Sequence, residues 1–155
     1  MSTAQTIIAG FGQIIGLEGL TLDEGNCCTL QFDQTVVNIE YLPDSEEFYF
    51  YSRIGAVPAH EPTRLRVFTD LLESDCFFRR TSGGVLGVDM DREAIVYTNK
   101  IGVGGLSSAH VLGDYIQAFV TLAEEFGQRV QDIAADAPPQ DDDSPQAPPT
   151  AGIRV

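Results

Sequence analysis

The chain predicts an α+β fold: an antiparallel sheet with helices packed on it, in the order α-β-β-β-α-β-β-α. Three observations carry this. Residues 27–51 hold three runs with the two-residue period of strands, parted by short turn signals. Residues 84–99 hold a second pair of such runs. Apolar stripes of helical period precede, divide and follow these strands.

The first helix is expected over residues 3–16, where Ile7, Ile8, Phe11, Ile14 and Ile15 follow an i, i+1, i+4, i+7, i+8 stripe. Gly10 and Gly12 each weaken it by about 1 kcal/mol against alanine, and they permit close approach of another backbone. Strand one alternates Cys28, Leu30 and Phe32 with Cys27, Thr29 and Gln31. Asp33-Gln34 turns the chain, although it lacks the glycine of a favoured two-residue hairpin. Strand two carries Val37, Ile39 and Tyr41 on one face, and Pro43-Asp44-Ser45 ends it. Strand three opens Phe48-Tyr49-Phe50-Tyr51, aromatic on both faces. A strand with one face in solvent should alternate with polar residues. Tyr49 and Tyr51 therefore either pack under something or await a partner.

Residues 55–61 read as a loop, and Pro62 suits the first turn of a helix with a stripe of Leu65, Phe68, Leu71 and Leu72. Strands over 84–90 and 93–99 meet at a turn around Asp91-Arg92, and glycine-rich residues 100–106 read as a loop. Ser107 or Ser108 can cap the last helix. Its seam is Leu112, Ile116, Phe119, Ala123, Phe126, Val130 and Ile133, spaced alternately four and three. Association with another helix fits that spacing, but in a domain this small the seam is better laid along the sheet. The composition changes at Asp136. Residues 136–155 hold five prolines, Asp141-Asp142-Asp143 and no aromatic residue, so a domain over 1–135 and a disordered acidic, proline-rich tail over 136–155 are expected.

Charge narrows the partners. The chain has 155 residues, with 23 acids against 9 bases and a net charge of -14. Without residues 136–155 the count is 19 against 8, or -11, so the acidity belongs to the domain as well. Phosphate backbones and anionic membranes are repelled by such a surface, so neither nucleic acid nor membrane insertion is expected. A protein partner fits. No run approaches the ~20 apolar residues of a membrane span, and no secretory signal begins the sequence. The expected location is the bacterial cytoplasm. Cys27, Cys28 and Cys76 form no disulfide framework and read as reduced core thiols.

No catalytic set emerges. His60 and His110 stand in no zinc spacing. Gly102-Val-Gly-Gly105 lacks the lysine and serine or threonine of a phosphate loop. Asp89 and Asp91 read as a solvated turn, since they lack the further oxygens of a calcium loop. Neither an enzyme nor a cofactor or metal site is expected.

The segment from Leu65 to Thr98 resembles the centre of the class I type III secretion chaperones, the family that includes the Tir chaperone. The resemblance rests on Leu71-Leu72 closing the second helix and on Gly84-Val-Leu-Gly-Val-Asp89 in the fourth strand. It takes in Leu20-Thr-Leu-Asp-Glu-Gly25 before strand one and Tyr115-Ile-Gln-Ala-Phe-Val120 in the last helix, covering about residues 3–130. Helix two ends Glu73-Ser-Asp75 where the family commonly has asparagine, at a position that reads as a cap. The resemblance implies a homodimeric, non-enzymatic chaperone that uses no nucleotide. It would hold the N-terminal chaperone-binding segment of a secreted effector extended and secretion-competent. The dimer contact implied is Leu65, Phe68 and Leu72 of helix two with Val85, Leu86 and Val88 of strand four. The implied effector contacts are Ile7, Ile8, Phe11 and Ile15 of helix one with Leu30, Phe32, Tyr49 and Tyr51 of the sheet. The competing readings are an acidic interaction adaptor using the 112–133 seam and a small-ligand or enzymatic domain using the aromatic third strand.

Overall fold

The computed structural model describes residues 2–136. Helix α1 spans Thr3–Ile14, and the Ser2 hydroxyl accepts a hydrogen bond from the Gln5 amide at 3.2 Å as its cap. The helix stops short of residue 16, because Gly16 turns the chain at φ +76°. The Leu17 amide then donates back to the Gly12 carbonyl at 2.8 Å. The connection to the sheet is organised by Asp23, whose Oδ1 accepts from the amides of Gly25 and Cys27 at 2.8 Å each. The leucine-aspartate-glycine phrase is thus a side-chain-stapled turn.

Strands β1 (Cys27–Phe32), β2 (Thr35–Leu42) and β3 (Glu47–Ala56) form a meander. The Asp33-Gln34 hairpin works without glycine because Asp33 itself takes φ +49°, a conformation aspartate tolerates better than most residues. Helix α2 is Glu61–Asp75, followed by β4 (Val85–Asp89), β5 (Ala94–Gly102) and helix α3 (Ala109–Ala135). The sheet is antiparallel throughout in the order β1-β2-β3-β5-β4, which leaves β1 and β4 at the edges. β5 is longer than the sequence predicts. The ten residues of β3 offer partners as far as Glu47 opposite Gly102, so the expected loop shrinks to a 3-10 turn over Val103–Gly105.

The core lies between one sheet face and the helices. Leu30, Val37, Ile39, Phe48, Phe50, Ile95 and Tyr97 point inward and are buried. α3 crosses β2 and β3, while α1 and α2 pack on α3. Its seam from Leu112 to Val130 is buried and Ile133 packs against the core, so the heptad spacing serves the sheet. Phe119 stacks on Tyr97 at 4.8 Å between ring centroids. α2 is tied to the edge strand by Asp75, whose carboxylate accepts the Leu86 amide at 3.0 Å. Asp75 is therefore a tether between elements rather than a cap. Cys76 is exposed, unlike the core thiol expected there. α3 ends at Ala135, and Arg66 binds the Asp136 carboxylate at 2.9 Å. The expected tail beyond Asp136 lies outside the described residues.

Candidate functional site

Two apolar surfaces stand out. The first is a groove of about 400 Å³ where the end of α1, the end of β1 and the first turns of α3 meet. Phe11, Ile14, Ile15, Phe32, Ile116 and Val120 supply its apolar lining, and His110, Asp114, Gln117 and Thr121 edge it from α3. It exists because α1 runs past its buried contacts. Ile7, Ile8 and Phe11 are in the core, but the next turn carries the same stripe beyond it, leaving Ile14 and Ile15 45% and 37% exposed. The volume suits a few apolar side chains. Burying one leucine-sized group there contributes about 1.5–3 kcal/mol.

The eight residues that the sequence puts forward for effector contact do not converge. Ile7, Ile8 and Leu30 are core, and Phe11 gives the groove only the margin of a buried ring. Ile15 and Phe32 line the groove. Tyr49 and Tyr51 stand on the opposite face of the sheet, which the helices leave open. There Tyr51 is exposed and registers with Asn38 and Thr98. Tyr49 lies under the Lys100 ammonium, 5.5 Å from its ring centroid. Lys100 also binds Glu47 at 2.8 Å, and that hydrogen bond holds the Glu47 carboxyl below its ordinary range. The sequence reading missed Ile14 and Val120 as lining residues. Val120 sits one position past Phe119 of the seam, and that offset was the available signal.

The second surface runs over α2, the turn after it and β4. Leu65 and Leu72 are 67% and 70% exposed. Val85 and Val88 are exposed at the free edge of the sheet, whereas Phe68 is half-buried and Leu86 is buried. Three residues not anticipated extend the surface: Phe77, Phe78 and Met90. Phe77 is 82% exposed, and both phenylalanines take left-handed backbone, at φ +56° and +53°. Such backbone is strained for an aromatic residue, and here it turns two rings outward. These apolar side chains wrap the β4 edge, with Val88 on the helix side of the sheet and Val85 on the open side beside Tyr49. So much exposed apolar area makes the edge a candidate protein-contact surface.

Burial pushes the Cys28 thiol up to about 11, which keeps it protonated at neutral pH. Tyr115 is raised well above its ordinary range by burial, and its hydroxyl donates to the Lys100 carbonyl at 3.1 Å. Among the described residues no helix is long and apolar enough to cross a membrane.

The sequence pattern of the Tir chaperone protein (CesT) family matches residues 6–126. No curated protein matches the sequence. Several solved structures share the fold. A chain of the ExsC-ExsE complex is 20% identical, with 80% of this chain and 90% of that one covered at a TM-score of 0.68. A chain of the HopA1-SchA chaperone-effector complex is 13% identical, covering 81% and 94% at 0.65. The structure of the Yersinia pestis type III secretion chaperone SycH with a fragment of YscM2 is 16% identical, covering 79% and 98% at 0.61.

Proposed function

Because the chain belongs to the Tir chaperone protein (CesT) family, we propose that it is a type III secretion chaperone of the bacterial cytoplasm. It binds the N-terminal chaperone-binding segment of an effector and keeps that segment extended and secretion-competent. The observation that carries this reading is the family match over the folded unit, joined to an open apolar groove at the α1–β1–α3 junction. An extended client can lodge alternate side chains in such a groove. Ile15 and Phe32 are its anchors from the effector set, with Ile14 and Val120 added. Ile7, Ile8, Phe11 and Leu30 support them from the core, while Tyr49 and Tyr51 offer a second contact on the open sheet face.

The activity is binding alone, with neither turnover nor cofactor. The working unit is a homodimer, joined by Leu65, Phe68, Leu72, Val85 and Val88, with Leu86 packed behind them and Phe77 and Phe78 at the margin. The domain over residues 1–135 folds without the acidic segment after it.

The test is deletion of the gene, followed by mass spectrometry of proteins released under secretion-inducing conditions. One or a few secreted proteins should disappear from the medium. The wild-type gene should restore them, and a Val120→Asp gene should not. An unchanged set of secreted proteins would overturn the proposal.

A further inference from the structure

Past the β1–β2 turn from the groove, a second cavity of about 360 Å³ opens between β3 and α3. Its lining is more polar than the groove's. Asp33 and Thr35 line it from the turn, Ser52 from β3, and Glu124, Gln128 and Gln131 from α3. Ser52 is fully buried on the inward, apolar side of β3, between Phe50 and Ile54. Its hydroxyl has no hydrogen-bond partner among the described residues. A buried hydroxyl left so is costly, and this one borders a cavity rather than packed carbon. Beside it the Thr35 hydroxyl, also buried, donates to Glu124 Oε1 at 3.3 Å. Ala123 and Gly127 face the strand here, and neither fills the space.

Resting on the chaperone reading, we propose that this notch receives an arginine side chain of the bound client and so sets sequence preference beside the apolar groove. The charge balance favours a cation. Asp33, Glu124 and Arg53 all line the notch, for a net charge of one negative. Arg53 is exposed, with its Nε donating to the Gly55 carbonyl at 3.4 Å, away from the buried Ser52 hydroxyl. The geometry favours guanidinium over ammonium. Acceptors lie on three sides, on the turn, the strand and the helix, and five N–H donors in a plane can meet them where a point charge cannot.

The two cavities also share one track. Phe32 of the groove and Asp33 of the notch are consecutive, as are the α3 turns that carry Val120 and Glu124. Four residues of helix rise about 6 Å, and two residues of extended chain span about 6–7 Å. Side chains at i and i+2 of an extended client share a face. An apolar residue and an arginine two positions apart therefore fit groove and notch together.

The experiment uses the full chain, 15N-labelled, titrated with N-acetyl-arginine amide and followed by amide chemical shifts. Shifts are expected at residues 33–35, 52–54 and 123–131, saturating below about 50 mM. N-acetyl-citrulline amide, the neutral isostere, should bind about fivefold more weakly or worse, and so should arginine amide to Glu124→Gln. Ser52→Ala should weaken binding about twofold or more while the rest of the spectrum is unchanged. Absence of these shifts, equal binding of citrulline amide, or full binding by Glu124→Gln would overturn the notch. The outcome is separable from the chaperone reading. If arginine amide binds here but deletion of the gene leaves secretion unchanged, the notch stands and the chaperone assignment falls. If secretion depends on the gene but the notch ignores the fragment, the reverse holds.

Discussion

Val120 and Phe11 border the same groove, yet substitution should separate them completely. Phe11 is 2% exposed and belongs to the core. Truncation to alanine should cost about 3–5 kcal/mol, read as a fall in the urea midpoint. Val120 is only half-buried and faces the groove. Val120→Asp should leave the midpoint within about 1 kcal/mol of wild type and weaken client binding about tenfold or more. Client binding by a folded Val120→Asp chain would place the client elsewhere. Asp75 makes a similar point about a single carboxylate. Its bond to the Leu86 amide is all that ties the end of α2 to the edge strand by hydrogen bonding among the described residues. Asp75→Ala should destabilise by about 1–3 kcal/mol, because a half-buried amide loses its acceptor. Asp75→Asn keeps an acceptor oxygen and should cost less than half as much, as equilibrium unfolding of the two variants would reveal. Equal losses would mean that charge, not the hydrogen bond, matters there.

The elements whose residues face one environment along their whole length were legible in the sequence. α3 is the clearest, since every seam position from Leu112 to Val130 is buried, and a single spacing describes all of it. α1 was legible as a helix but not as two halves. Its stripe is continuous in sequence, and only its packing on α3 and the core decides that Ile8 is buried and Ile15 exposed. For the same reason the effector set mixed core with surface. β5 was read short because Lys100 and Gly102 look like loop, whereas the length of its neighbour β3 dictates that they pair. Phe77 and Phe78 were invisible as surface, because an aromatic pair ordinarily reads as core and only its left-handed backbone turns it out. The glycines of α1 were read correctly as places of close approach. A Cβ on Gly12 would stand 2.7 Å from the Leu17 carbonyl oxygen and 2.6 Å from the Leu20 Cβ. Helix propensity alone favours Gly12→Ala by about 1 kcal/mol. The clash with a backbone atom should outweigh that gain, for a net loss of about 1–3 kcal/mol. A rise in melting temperature would show that the Leu17–Leu20 turn can move aside.

At the scale of the whole molecule the question is what covers α2 and β4. One protomer of 16.8 kDa leaves Leu65, Leu72, Phe77, Phe78, Val85 and Met90 exposed on adjoining elements, at a sheet edge whose outer backbone groups have no strand beside them among the described residues. A surface of this kind invites pairing or aggregation, and the proposed second copy would cover both the side chains and the edge. A stable interface buries about 1,600 Å² in total, which requires this face and not a corner of it. Light scattering at micromolar concentration should therefore give about twice the protomer mass. Charge sharpens the prediction. Two chains of net charge -14 repel each other, so an apolar dimer should hold or tighten as salt screens that repulsion, whereas one held by ion pairs should weaken. Leu72→Asp places a charge on a side chain that is 70% exposed in the protomer. It should leave protomer stability within about 0.5 kcal/mol while halving the scattering mass. Leu86→Asp instead buries a charge behind the interface and should unfold the protomer. A wild-type monomer, or a Leu72→Asp chain that remains dimeric, would move the interface off this face, and the open sheet side carrying Tyr51 would then be the next apolar surface able to supply one.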